Sequence, residues 1–362
     1  YGYNLANLVT SLENKKGSTV LSSYAYTYQL DGNQRTKTDS TGLVTSYTYD
    51  GLGRLTGEAE STGQSLTYAY NSFGNRSSLT ASGTQSYVTT YSYDLNNRLL
   101  TESKVQGGQT AVTTYTYDAN GNALSASGGG VSKSYTYDAL NRQVSATNDG
   151  TTAQYTYDAG GLRRSKTVGG TTTTQVWDGS ELVLELTGGT VTGKYLRGLG
   201  LIAADIGGAR SYYLYNAHGD VTGLTNTAGT VTKVYAYDAF GNEKAPSDTD
   251  VNPIRYCGQY YDKETGSYYL RARYYNPIIG RFISEDPARH DTNWYLYCYS
   301  NPVRYVDPNG KVPVETILDA VSAVGSAADF LDDPSWITAG YLLWDIGALL
   351  LPYVPGSYTT KG

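Results

Sequence analysis

The sequence predicts an all-β protein built of stacked β-hairpins, and three observations predict it. A tyrosine pair separated by one residue and followed by an acid or amide returns from one end of the chain almost to the other. Its second aromatic falls at Tyr3, Tyr28, Tyr49, Tyr70, Tyr93, Tyr117, Tyr137, Tyr157 and Trp177, at intervals of 20 to 25 residues, then at Tyr215 and Tyr237 after one irregular stretch. Such a spacing marks a repeat array, in which each unit buries its face only against its neighbours. The third observation is composition: 38 tyrosines and 42 glycines stand beside four phenylalanines, four tryptophans and no methionine. Tyrosine offers a flat apolar ring but needs a partner for its hydroxyl, which favours a broad sheet over an oily core.

Each unit reads as one hairpin. In Tyr47-Thr48-Tyr49 strand alternation puts both rings on one face and the small residue on the other. Asp50 to Gly53, Asp118 to Gly121, Asp138 to Asn141 and Asp238 to Gly241 then supply a side chain that bonds its own backbone and a residue that tolerates positive φ, the ingredients of a tight turn. A return strand follows, as in Arg98 to Glu102 and Arg142 to Thr147, and a Gly/Ser/Thr-rich link such as Ala126 to Gly130 leads on. Successive units are expected to set tyrosine beside tyrosine in a cross-strand ladder, each pair contributing about 0.2–1 kcal/mol. The opposite face is largely Ser and Thr and suits water. A long ribbon of this kind has to be capped or wound into a spiral, because an exposed edge invites aggregation.

Charge narrows the function classes. The net charge is −6, only 17% of residues are charged and Lys and Arg form no cluster, so nucleic acid is not an expected partner. The first repeat is under way at Tyr1, which predicts a natural N-terminus further upstream and leaves no signal peptide to read. Cys257 and Cys298 are compatible with one disulfide or with two buried free thiols, the second being preferred. His218 and His290 are the only histidines, and neither stands beside a Cys/Asp cluster at ligand spacing. No metal and no cofactor is therefore expected, and His218, in a repeat turn, reads as a surface residue. A nucleophile elbow of the Gly-x-Ser-x-Gly type is absent from the sequence.

Between residues 251 and 310 the repeat yields to a denser run. Arg255 to Asp262 leads into a turn ending at Gly266, a strand follows through Arg271 and Arg273, and a second turn spans Asn276-Pro277 to Gly280 before Arg281-Phe282 and Asp286-Pro287. The string Gly258-Gln259-Tyr260-Tyr261-Asp262, with Thr265-Gly266, Arg273-Tyr274-Tyr275 and Gly280-Arg281-Phe282, closely resembles the core segment of rearrangement hotspot (Rhs) proteins. The upstream array resembles their tyrosine-aspartate (YD) repeats, and Tyr213 to Val221 resembles the repeat that precedes this core. The resemblance implies three parts: a repeat array over 1–250, the Rhs repeat-associated core over 251–310, and a lead-in over 311–362 to a C-terminal toxin domain beyond Gly362. It further implies a hollow β-shell of a secreted or cell-surface bacterial protein, a polymorphic toxin or wall-associated protein. Its cargo would be its own toxin domain, with cell-surface glycans or a secretion-system component as further partners. A different reading makes the tyrosine ladder a sugar-stacking surface and the protein a carbohydrate-binding adhesin.

One enzymatic activity comes with the resemblance. In several relatives the core ends in Pro-x-x-x-x-Asp-Pro-x-Gly-Leu and the chain is cut after it by an intramolecular aspartate-dependent reaction. Pro302 to Gly310 fits every position, while Lys311 stands where Leu or Trp is usual. An aspartyl autoprotease acting near Gly310–Lys311 needs two carboxylates, one as base toward water and one as acid toward the leaving amide. Asp307 and Asp286 are the candidates, with Asp291 behind them; the competing role for Asp286-Pro287 and Asp307-Pro308 is that of plain turn signals.

After Lys311, Ile317, Val321, Val324, Ala328 and Leu331 fall on one helical stripe that Asp333-Pro334 ends. Residues 337–351 are more apolar, yet short and interrupted by Asp345, which predicts a helical hairpin packed on the shell and no stable membrane span.

Overall fold

A computed structural model of the protein describes residues 1–198 and 200–315. The expected helical hairpin lies outside the described residues, among which no helix is long and apolar enough to cross a membrane.

Twenty-three strands, from β1 (Gly2–Tyr3) to β23 (Val231–Val234), form one sheet. Every strand pairs antiparallel with the next in sequence, as in β5 (Val44–Tyr49) with β6 (Leu55–Glu60) and β6 with β7 (Ser65–Tyr70). The unit is the predicted hairpin. In the Asp50 turn the Asp50 carboxylate accepts the N–H groups of Leu52 and Arg54 at 3.0 Å while Gly53 takes φ +77°. Asn97 and Asn141 fill that left-handed position elsewhere, at φ +63° and +60°, as only glycine and short polar side chains do readily.

The tyrosines do not make the expected cross-strand ladder. Each unit contributes two strands, so equivalent rings lie two strands apart, roughly 10 Å. Tyr47 faces Glu58 and Tyr68 faces Leu79 across the pairing. Rings stack instead along one strand, as Tyr213 on Tyr215 at 6.2 Å and Tyr235 on Tyr237 at 6.4 Å. The second ring of the pair reaches back to the preceding return strand: the hydroxyls of Tyr49, Tyr70, Tyr157 and Tyr215 donate to the carbonyls of Gln34, Leu55, Gln143 and Leu201 at 2.6–2.9 Å. In the irregular stretch the unit persists with an arginine in the tyrosine's place, Arg197 Nε donating to the Leu182 carbonyl at 3.1 Å. At this same position the strand register slips by one residue, between Thr48 and Tyr49, Ala69 and Tyr70, Thr136 and Tyr137, and Leu196 and Arg197. A bulge bends its strand, and one per repeat curls the ribbon.

The curl brings the ribbon back over its own start without closing a barrel. Asn14 donates to the Tyr215 carbonyl at 2.8 Å, the Ala217 N–H donates to the Tyr26 hydroxyl at 2.9 Å, and the Ala239 N–H donates to the Glu58 carboxylate at 2.6 Å. The described part is therefore a spiral β-ribbon, its turns joined by side chains. Glu58 is buried there, and burial, with Asp238 nearby, pushes its carboxyl up to about 7. Between that value and the unfolded 4.5 the folded protein holds a proton that the unfolded chain has released. This group's contribution is thus fully present below pH 4.5 and is lost as pH rises toward 7. Glu58→Gln keeps an acceptor for Ala239 and removes the ionisation. Urea unfolding should find the variant about as stable as the parent at pH 5 and about 1–3 kcal/mol more stable at pH 8.

The core segment occupies the tyrosine face. Four short strands, β24 (Tyr260–Asp262), β25 (Ser267–Tyr269), β26 (Tyr274–Asn276) and β27 (Arg281–Phe282), make a small antiparallel sheet with turns at the two predicted places. Its rings meet those of the array, Tyr274 with Tyr155 at 5.4 Å and Tyr269 with Trp177 at 6.0 Å. The first tyrosine of most pairs is buried, including Tyr26, Tyr47, Tyr68, Tyr135, Tyr155 and Tyr235. Ser46, Thr48, Thr136 and Thr156 face solvent. Among the described residues only Tyr1, Tyr3 and Tyr212 are exposed tyrosines, so the paired rings are wall and present no continuous stacking surface to solvent. Both cysteines are free; Cys298 is fully buried and Cys257 only partly.

Candidate functional site

The two sequence-nominated carboxylates lie against one guanidinium. Arg273 sits at the end of a tight turn in which the Leu270 N–H donates to the Arg273 carbonyl at 2.9 Å and Arg271 takes φ +63°. The ring of Phe282 lies 3.6 Å from the guanidinium carbon. Nη2 of Arg273 is 3.8 Å from Asp286 Oδ1 and 3.5 Å from Asp307 Oδ2, all three side chains being buried. Burial draws the Arg273 pKa down, against the pull of Asp286 and Asp307.

The same arginine grips the peptide that the signature marks. Arg273 Nε donates to the Gly310 carbonyl, and Asp307 Oδ1 accepts the N–H groups of Gly310 at 2.8 Å and Lys311 at 3.1 Å. The Gly310–Lys311 amide is thereby held at both ends, its oxygen by a guanidinium and its nitrogen by a carboxylate. Gly310 has φ +72°, and a Cβ there would fall 2.7 Å from the Leu270 carbonyl oxygen and 2.9 Å from the Arg273 nitrogen, which accounts for glycine at this point of the signature. Burial raises the Asp307 carboxyl above its ordinary value, against Arg273 and the three N–H groups of Asn309, Lys311 and Gly310. Its Oδ2 has no hydrogen-bond partner.

Asp286 also serves its own turn, accepting the Ala288 N–H at 2.9 Å. Asp291 stands apart, exposed and capping Thr292. The Lys311 side chain is exposed and is not seated in a pocket. Arg273 was invisible as a site residue because nothing local distinguishes it from Arg271 or Arg281; the only signal was its place inside the Arg-Tyr-Tyr motif. Cys298, fully buried and near Asp307, has its thiol pushed well up by burial, which leaves it a poor nucleophile.

His218 is the clearest departure from expectation. It is not a surface residue: its ring is largely buried beside Asp220 and Cys257, the latter 39 residues further along the chain. Sequence spacing hid a cluster that the fold assembles.

Parts of the chain are similar to known proteins. The Teneurin YD-shell family model matches residues 194–303 and the RHS Repeat model residues 28–64. The tRNA3(Ser)-specific nuclease WapA of Bacillus spizizenii is 45% identical over 112 residues, which is 28% of this chain and 5% of that protein. Double-stranded DNA deaminase toxin A of Burkholderia cenocepacia is 37% identical over 112 residues, 28% of this chain and 8% of that protein. The chain thus spans less than a tenth of either relative's length. In the solved TcdB2-TccC3-Cdc42 structure the matched chain is 20% identical with a TM-score of 0.43, over 86% of this chain and 20% of that one. The chain is thus similar to RHS repeats over residues 28–64 and to the YD-shell over residues 194–303, and its relatives are Rhs/YD-repeat toxins of the WapA type.

Proposed function

We propose that this chain is the closing end of an encapsulating shell, which encloses and presents a C-terminal toxin domain outside the bacterial cell and cuts itself free of that domain near Gly310–Lys311. The observation that carries the reading is the Gly310–Lys311 peptide itself, gripped by Arg273 and Asp307 in the loop between the paired strands Tyr305–Val306 and Val314–Glu315. The relatives support it: WapA and the deaminase toxin match over about 110 residues while most of their length lies elsewhere.

In the proposed cut Asp286 takes a proton from water, and the hydroxide adds to the Gly310 carbonyl carbon. Arg273 stabilises the oxygen as it gains charge, and Asp307, biased toward its protonated form, gives a proton to the Lys311 nitrogen as the C–N bond breaks. The products are a Gly310 carboxylate and a Lys311 amine. Mass spectrometry of the freshly purified protein, made together with its downstream domain, should find two fragments, the second starting at Lys311. Asp307→Asn should leave a single uncut species with unchanged circular dichroism. One uncut species in the parent, unaltered by Asp307→Asn, would sink the protease. Encapsulation is tested separately: a downstream domain digested by added trypsin as fast as the free domain would rule out the shell.

A further inference from the structure

We propose that His218, Asp220 and Cys257 form a binding site for a single divalent transition-metal ion of the zinc class, clipping the repeat array to the core segment. His218 and Asp220 belong to the Asn216–Asp220 turn between β21 (Ala209–Tyr215) and β22 (Val221–Thr225); Cys257 belongs to the 3-10 turn Tyr256–Gly258 that opens the core. One nitrogen, one oxygen and one sulfur from these side chains all lie within 4.8 Å of one another.

The way they converge separates a metal site from a nucleophile relay. In a relay the acid and the nucleophile bond opposite nitrogens of the imidazole. Here both face the same one: Nδ1 is 2.9 Å from Asp220 Oδ1 and 3.7 Å from Cys257 Sγ. Nε2 points away, 3.4 Å from the Tyr305 carbonyl. When the Nε2 proton is donated to that carbonyl, Nδ1 faces a carboxylate oxygen and a sulfur with its lone pair, a place filled either by a proton shared with Asp220 or by a metal ion. A backbone carbonyl on the outer nitrogen is the ordinary support of a metal-bound histidine.

Nitrogen, oxygen and sulfur donors around a tetrahedral zinc lie about 3.4–3.6 Å apart; Sγ is near that distance from Nδ1, Asp220 has to withdraw from Nδ1 by about half an ångström, and the oxygen and sulfur, within 4.8 Å of one another, close on the ion when it binds. Asp220 is held for the task, with Oδ2 accepting from Asn216 Nδ2 at 2.7 Å and Oδ1 from the Cys257 N–H at 3.0 Å. Cys257 takes φ +51°, a left-handed conformation unusual for a side-chain-bearing residue. A cavity of about 640 Å³, lined in part by His218, Gly219, Cys257 and Gly258, gives an ion a way in and a water the fourth position. A cysteine ligates metal as the thiolate, so metal binding should release the Cys257 proton, and affinity should rise with pH.

Cobalt(II) is the probe, because a thiolate ligand gives it a charge-transfer band in the near ultraviolet. The full chain, stripped with chelator, should bind one Co²⁺ with that band and lose it on adding Zn²⁺. Cys257→Ser should abolish the band and His218→Ala should weaken binding at least tenfold. A parent protein without the band, or a band that survives Cys257→Ser, would overturn the site. The unmodified protein gives a second test that no folding defect can confuse: Zn²⁺, but not Mg²⁺, should slow alkylation of Cys257, mapped by mass spectrometry apart from Cys298. Equal rates with and without Zn²⁺ would equally overturn it.

Discussion

Replacing Asp262 with alanine is expected to destabilise the protein by about 3–5 kcal/mol, the cost of leaving a buried charge without its partner. Asp262 Oδ2 lies 2.5 Å from Arg163 Nη1 with neither side chain exposed, and Oδ1 lies 3.0 Å from Lys166 Nζ. The Arg163 guanidinium is enclosed by the rings of Tyr155, Tyr260 and Tyr269, whose centroids are 4.4–5.1 Å away. Water cannot take the carboxylate's place. Burial alone would raise the Asp262 pKa, yet Arg163 and Lys166 hold it below the ordinary value. Its contribution is therefore present at neutral pH and is lost as pH falls through the folded-state value. The pair joins a return strand of the array, β16 (Arg163–Val168), to the first core hairpin, so its loss should loosen the core from its wall. The double variant Arg163→Met with Asp262→Leu removes both charges and should cost less than Asp262→Ala alone. Urea unfolding of the three proteins checks this; a loss below about 1 kcal/mol for Asp262→Ala would mean that the pair does not bind core to array.

Tyr275→Ala should cost a similar 3–5 kcal/mol, for a different reason. Tyr275 is fully buried and stacks on Tyr297 at 3.9 Å, with Phe282 at 5.9 Å and Tyr268 at 6.3 Å. Its hydroxyl donates to the Phe240 carbonyl at 2.7 Å, reaching the last repeat turn. Truncation leaves a ring-sized void in the aromatic plug and an unpaired carbonyl. Tyr275→Phe keeps the ring and loses only the hydrogen bond, so it should cost about 1 kcal/mol. Denaturation midpoints for the two variants separate packing from polar pairing; equal losses would show that the void is filled by relaxation of its neighbours.

How much of this was legible in the sequence depends on how local each feature is. The Asp50 turn was readable because Asp50, Gly53 and Arg54 interact within five residues. The hairpin at Asp262 to Gly266 was readable for the same reason. Arg197 was not recognised as a repeat position, because the unit uses a donor at that point and is indifferent to whether it is a phenol or a guanidinium. The expected tyrosine ladder does not form, because strand alternation says which face a ring occupies and not which strand lies beside it.

The candidate site divides the same way. Asp307 and Gly310 were visible as a signature, and Asp286 as an acid before proline. Arg273, which touches both, was not, since its partners lie 13 and 34 residues further along the chain.

By itself the sequence determined the all-β class, the hairpin unit and its turns, because strand period and turn chemistry act over a few residues. Only the tertiary structure decided which face is filled, where the ribbon crosses its own start, and that Arg273 meets two aspartates while His218 meets Cys257. Those contacts depend on the bend added at each repeat, a small angle that no single unit reveals and that only its accumulation around the spiral converts into proximity.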